Sequence, residues 1–295
     1  AQDMIVLVFL LQTIRIAIPY LLAAAGGVMS ERVGVIALGL EGLMLSGAFG
    51  AALGSYYGGN AWAGLLGALV AGLLTTSIIA VATLRFKANQ VVVGVAINLL
   101  IVAATRFFLR LVFDSASNSP RVAGFGGEGA ANAMLASFAN PVVWIGLLAL
   151  PALSWLLYQT PFGLRARAVG EKPEAAATLG IAVGPLRLKG LLLSGALASL
   201  GGAYLALDQH QFTDSMTAGR GFIALAAVIF GRWEPLRVAV ACVLFAAAET
   251  LQIQLQGAQL VPSQFIEMIP YLLTIIALAG LVGRSVAPAA LGKSE

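Results

Sequence analysis

Charge is what this chain has least of. Lysine, arginine, aspartate and glutamate make up only 10% of its 295 residues, where a soluble domain carries about 25%; a water-exposed surface cannot be built from so few. Cysteine is as scarce. Cys242 stands alone in an apolar run, which excludes a disulfide framework and a cysteine metal cluster and leaves a small buried apolar side chain. The single histidine, His210, has no neighbours at ligand spacing, so no metal site is expected. There is no G-x-x-x-x-G-K-[ST], no H-E-x-x-H and no G-x-S-x-G, so no phosphate loop, zinc helix or nucleophile elbow is expected, and no catalytic residue or cofactor. Gly124, Gly126 and Gly129 in GFGGEG do match G-x-G-x-x-G, but a dinucleotide site needs a strand before it and a helix N-terminus after it. The flanks SNSPRVA and GAANAM predict a flexible glycine loop instead.

Hydrocarbon takes the place of charge. Hydrophobic residues are 60% of the chain and the mean hydropathy is +0.94. Apolar runs near the roughly 20 residues a helix needs to cross a bilayer recur at 4–27, 35–54, 62–84, 91–112, 142–158, 186–207, 216–231, 236–256 and 266–283. They predict an all-α polytopic membrane bundle of about nine spans, within a range of eight to ten. Unbroken runs such as VVWIGLLALPALSWLL exclude the short alternating strands of a barrel. The first run is too long for a signal-peptide core, lacks a basic start and contains Arg15 and Pro19, so it belongs to the mature fold. No stretch between runs resembles a catalytic module, and one membrane domain is expected over 1–295.

The remaining charges sort by side. Arg85 and Lys87 follow the third run; Arg165, Arg167, Lys172, Arg187 and Lys189 lie between the fifth and sixth; Arg232 and Arg237 lie between the seventh and eighth; Arg284 and Lys293 lie in the tail. The alternate loops, 113–141, 208–215 and 257–265, hold Asp114, Glu128, Asp208 and Asp214 against Arg121. The positive-inside rule makes the first set cytoplasmic, which with nine spans puts the N-terminus outside and the C-terminus inside. The net charge of +4 then reports membrane sidedness, and no nucleic-acid partner is expected. Trp233 beside Arg232 suits the cytoplasmic interface, and the short run at 216–231 is either a span or a re-entrant segment.

One cytoplasmic stretch, EKPEAAATLGI at 171–181, gathers charges around an alanine run. Pro173 at a first helical position and Gly180 after the last turn delimit a short helix over 173–179, kept in water by Glu171, Lys172, Glu174 and the flanking arginines and lysines. Physics alone leaves two readings, a docking peg or an ordinary solvated loop. The spelling Glu174-Ala175-Ala176, then three residues, then Gly180 resembles the EAA loop by which permeases of ATP-binding-cassette (ABC) importers dock onto their ATPase subunits. Together with TPFGLRARAVGEKPEAAATLGI at 160–181, ERVGVIALGLEGLMLSGAFGA at 31–51, ANQVVVGVAINLL at 88–100 and AGRGFIALAAVIFGRWEPL at 218–236, it looks like the nucleoside branch of the family that also holds simple sugar and branched-chain amino acid permeases. The likeness runs from about residue 15 to residue 283. Ala37 stands where this branch often has asparagine, and Lys172 where asparagine usually follows the glutamate. The resemblance implies a type II importer-like fold in a bacterial inner membrane, ABC ATPase subunits, a second and often non-identical permease, and an external substrate-binding protein. It assigns coupling to Arg165, Arg167, Glu171, Glu174, Ala175, Ala176 and Gly180. It implies alternating access for nucleosides or related compounds, with simple sugars or branched-chain amino acids as the alternative cargo.

Polar residues inside the runs mark either a pathway or packing, whatever the family. A charge at membrane depth costs at least about 2.5–3.5 kcal/mol, so Glu41 and Glu249 should face protein or water. Glu249, Gln252 and Gln256 share a helical face, as do Gln90, Gly94, Asn98 and Thr105. Amides there suit the edge of a nucleobase or sugar; the alternative is interhelical hydrogen bonding, worth about 0.6 kcal/mol on average. Glu41 has a further alternative, an ion pair with Arg15. Phe222, after Gly221, is either a stacking surface for a base or a core side chain. The candidate pathway is therefore Glu41, Gln90, Asn98, Phe222, Glu249 and Gln252. In a gradient-driven secondary transporter, the competing class, Glu41 or Glu249 would carry protons. A short echo, GVIAL at 34–38 and GFIAL at 221–225, each just after an arginine (Arg32, Arg220), points to the second and seventh runs as corresponding elements.

Overall fold

A computed structural model describes residues 2–125, 140–258 and 286–293, with Met268 and Leu272. Its helices are α1 (Gln2–Arg32), α2 (Leu40–Gly58), α3 (Ala61–Ala80) with a π turn over Val81–Arg85, α4 (Gln90–Phe113), α5 (Pro141–Gln159), α6 (Pro161–Glu171), α7 (Pro173–Thr178), α8 (Val183–Asp208), α9 (Arg220–Phe230) and α10 (Pro235–Ala258). Among the described residues the β structure is one isolated bridge, Asn118 with Thr213. Helix starts follow the local chemistry. Asn60, Asn89 and Thr160 accept hydrogen bonds from backbone N–H groups of α3, α4 and α6, and Pro141, Pro161 and Pro173 occupy first positions where a missing N–H costs nothing.

Among the described residues six helices, α1, α3, α4, α5, α8 and α10, are long and apolar enough to cross a membrane. Three of the nine predicted spans fall outside that set, each for its own reason. The run 35–54 becomes α2, whose Glu41, glycines, serines and tyrosines lower its hydropathy and which buries 13 of its 19 residues against its neighbours. The run 216–231 yields only the 11 residues of α9, about 16 Å of helix, too short to cross a bilayer as helix alone. The run 266–283 lies outside the described residues except for Met268 and Leu272, and Gly126 and Gly129 of the glycine loop lie outside them too.

Loop contacts sort the bundle into two ends. At one, Arg32 donates to the Trp233 carbonyl (2.9 Å) and the Tyr158 hydroxyl (3.2 Å), and Ala290 N–H donates to the Gly170 carbonyl (3.0 Å). At the other, Ser119 N–H donates to Phe212 and Val122 N–H to His210, each at 2.8 Å, and Arg106 pairs with Asp214 at 2.9 Å. The end gathering 160–182, 231–234 and the tail is the end that the basic residues mark as cytoplasmic. At the centre α2 and α8 meet backbone to backbone. A Cβ at Gly202 would strike the Met44 carbonyl, and one at Gly47 the Ser199 carbonyl, the close approach small residues permit between membrane helices.

Candidate functional site

The site is built around two breaks in helical structure. α1 ends in a Schellman closure at Gly34 (φ +90°), with Gly34 N–H donating to Glu31 and Val35 N–H to Ser30, both at 3.0 Å. Irregular backbone then runs to Gly39. At membrane depth a bare peptide group costs several kcal/mol, so such a segment survives only where protein satisfies it. Ile36 N–H donates to Gln90 Oε1 (2.8 Å) and Ala37 N–H to Glu31 Oε1 (3.1 Å); Asn98 Nδ2 donates to the Leu38 carbonyl, and Asn98 Oδ1 accepts from Gly42 N–H, both at 2.8 Å. Between Gln90 and Asn98, Gly94 leaves room for the segment, since a Cβ there would lie 2.7 Å from Leu38 Cβ. The polar face of α4 is thus a receptor for backbone. Asn98→Leu strands two buried groups at about 1–3 kcal/mol each, so it should lower the melting temperature of the solubilised protein and its yield. A melting temperature unchanged in Asn98→Leu would refute this bracing role.

The second break, 209–219, separates α8 from α9. Glu41, in the first turn of α2, accepts from Thr217 Oγ1 (2.6 Å), Gly219 N–H (2.9 Å) and Gly221 N–H (2.7 Å). Its carboxylate lies where the positive ends of two helix dipoles, α2 and α9, converge. The expected alternative of an Arg15–Glu41 pair is corrected: Arg15 forks onto Asp208 at 3.0 and 3.2 Å, a partner 193 residues away that helix packing supplies. Glu249 turns inward to Arg220 (2.7 Å) and the Tyr20 hydroxyl, while Gln252 on the next turn is half-buried and Gln256 exposed. Phe222 is 48% exposed, which removes the core reading.

Glu31 and its partner escaped the sequence reading. Trp233 is buried, and its indole N–H donates to Glu31 Oε2, so it anchors α1 to the α9–α10 turn and does not lie at the lipid interface as expected. The available signal was an acid placed three residues before the helix-ending Gly34.

At the end that gathers the basic loops α7 begins at Pro173 and closes at Gly180 (φ +79°), with Gly180 N–H donating to Ala177 (2.9 Å) and Ile181 N–H to Ala176 (3.1 Å), again a Schellman motif. Ala176 packs with Val169 and Leu186 in a small core of its own. Glu174, Ala175 and Gly180 are exposed, as is Arg165, and Leu179 projects with 81% of its surface open. The flanking basic residues are not uniformly solvated. Arg167 stacks 4.7 Å from the Tyr158 ring centre, and Arg187 is buried, reaching the Val33 carbonyl at 3.3 Å; burial against α1 overrode charge because a backbone carbonyl was there to receive it. Two links tie this loop to the first break. A Cβ at Gly170 would strike the Arg32 carbonyl, and the tail bridges both parts through Ala289 N–H to Glu171 Oε2 (3.3 Å) and Gly292 N–H to the Gly34 carbonyl (3.3 Å).

Broken helices braced inside an apolar bundle, with a short exposed helix at one end, define a multi-pass membrane permease. The chain belongs to the family of branched-chain amino acid transport system permease components, whose pattern it matches over residues 9–278. The guanosine ABC transporter permease protein NupQ of Bacillus subtilis is 41% identical over 95% of this chain and 93% of its own length. The nucleoside ABC transporter permease protein NupC of Lactococcus lactis is 37% identical over 93% and 92%. A solved ABC transporter of metal-chelate type, in an inward-facing conformation, has the same fold with a TM-score of 0.54 at 17% identity, covering 92% of this chain and 84% of the other. The chain is a permease subunit of an ABC importer and works with ATPase partners.

Proposed function

We propose that this permease imports nucleosides across a bacterial inner membrane, paired with a second, non-identical permease and supplied by an external binding protein. The observation that carries the reading is near full-length likeness to two permeases named for guanosine and for nucleosides. In this reading α7 is the coupling helix: Glu174, Ala175 and Gly180 enter a groove of the ATPase, Arg165 lies on the rim, and Ala176, expected among the docking residues, instead holds α7 to its own chain from the buried side. Arg167 is steadied by Tyr158, and Glu171 carries motion to the tail. Displacement of α7 reaches Gly34 through the tail and through Gly170 on Arg32, and from there the braced segment 35–42, Glu41 and the head of α9. The six candidate pathway residues divide into two roles. Phe222, Glu249 and Gln252 border the path, while Glu41, Gln90 and Asn98 fix the broken backbone that forms its wall. ATP states act on transport only by holding α7 differently.

The test is uptake by cells carrying the whole transporter and lacking their own, with labelled guanosine, uridine, glucose and leucine. ATP-dependent uptake of the two nucleosides, with glucose and leucine excluded, is the expected result. Uptake of leucine or glucose in their place would overturn the nucleoside assignment.

A further inference from the structure

Beside the head of α9, the helices α1, α8, α9 and α10 leave a cavity of about 250 Å3 whose lining includes none of the pathway residues read from sequence, although Arg220 in its wall pairs with Glu249. Gln12 and Arg15 of α1, Tyr204 and Asp208 of α8, Gln209 just beyond and Arg220 of α9 line it. Arg15 lies about 25 Å along α1 from Arg32 at 1.5 Å per residue, which sets the cavity in the outer part of the bundle. Its volume falls just below the roughly 300 Å3 at which small-molecule clefts begin, a space suited to one small, compact solute.

The chemistry of the lining narrows the class. Both guanidiniums are committed, Arg15 to Asp208 at 3.0 Å and Arg220 to Glu249 at 2.7 Å, so two positive and two negative charges cancel. An anion entering here must displace a carboxylate, whereas a neutral solute need not. Gln12, half-buried, and Gln209, exposed, each present a donor and an acceptor. The Tyr204 hydroxyl is buried beside Arg15 and makes no hydrogen bond of good geometry; a ligand oxygen or ring nitrogen would complete it. Apolar side chains of α1, α8 and α10 close the remaining wall. Amides, a hydroxyl and apolar surface with no net charge match a heterocycle carrying a sugar.

We propose that this cavity is an outer subsite that receives an uncharged nucleoside before the path opens inward and that rejects its phosphorylated form. The proposal rests on the nucleoside reading above. The experiment uses the complete transporter in lipid nanodiscs, photolabelled with tritiated 8-azidoguanosine, digested, and scored for label on peptides covering 12–20 and 204–220. Label on these peptides is expected, competed by guanosine and not by guanosine monophosphate at about tenfold higher concentration. Gln12→Leu and Gln209→Leu should each reduce it by at least about threefold at equal complex yield. Asp208→Asn, which uncovers the Arg15 charge, should let the monophosphate compete; Gln12→Leu carries the test if Asp208→Asn does not assemble. Label confined to other segments, competition by the monophosphate in the unaltered protein, or labelling indifferent to both glutamine changes would overturn the proposal. Guanosine uptake by the same complexes reconstituted into sealed proteoliposomes separates the two failures. Uptake without label here overturns the subsite alone, and absence of uptake overturns the nucleoside reading together with it.

Discussion

Glu174→Arg is expected to abolish ATP-coupled uptake, by at least about tenfold or 1.4 kcal/mol in coupling, while the permease still inserts and folds. Glu174 lies exposed on α7, away from the small core of Val169, Ala176 and Leu186 that holds the helix to α6 and α8. Reversing its charge changes the surface offered to the ATPase and little of what supports α7. Gly180→Trp should have the same outcome by another route. Gly180 sits at φ +79°, a conformation that costs an L-residue roughly 1–2 kcal/mol, and a bulky ring there blocks close approach of a partner. Glu171→Ala removes only the acceptor for Ala289 N–H and should reduce uptake about two- to threefold, as one charge-assisted bond in water is weak. Uptake and ATP hydrolysis per purified complex are the measurements. Normal uptake in both Glu174→Arg and Gly180→Trp would remove α7 from the coupling path.

Glu41→Leu should act on the fold of the site itself. It leaves the Gly219 and Gly221 N–H groups without their acceptor, about 1–3 kcal/mol for each orphaned donor, and strips the carboxylate from two helix N-termini at up to about 2 kcal/mol in a partly buried setting. Gly221→Val attacks the same junction sterically, because its Cβ would lie 2.5 Å from Glu41 Cα. Both changes should lower the melting temperature of the solubilised protein by several degrees and abolish uptake. Glu41→Gln keeps one acceptor oxygen and should be milder. Glu41→Leu with unaltered melting and reduced uptake alone would make Glu41 a pathway group and not a cap. Since a proton-carrying role needs an open carboxylate, the three donors already on Glu41 also argue against the gradient-driven alternative.

Much of this architecture could be read in order along the chain. Six of the nine apolar runs coincide with helices long and apolar enough to cross a membrane among the described residues, and Pro173 with Gly180 bounded α7 to within one residue. These features are local: a helix forms where its own residues permit it, and water or lipid decides its length.

Partner choice was not legible, and it decides the site. The faces of α4 and α10 were visible as stripes, yet period alone does not say whether an amide meets a substrate or a peptide group. Asn98 meets the backbone of 38–42 because Gly94 lets that segment approach. Arg15 and Glu41 looked like neighbours, but the packing of α1 on α8 gives Arg15 to Asp208, and the 209–219 break brings the head of α9 to Glu41. Trp233 had the composition of an interfacial anchor and is instead buried on Glu31. The sequence by itself determined that this is a helical membrane protein with a short helix over 173–179, because hydropathy and capping are properties of short stretches. Only the tertiary structure decided which polar groups brace the broken helices and which remain open, because that depends on residues as far apart as 15 and 208 coming within hydrogen-bonding distance in a medium with no water to satisfy them otherwise.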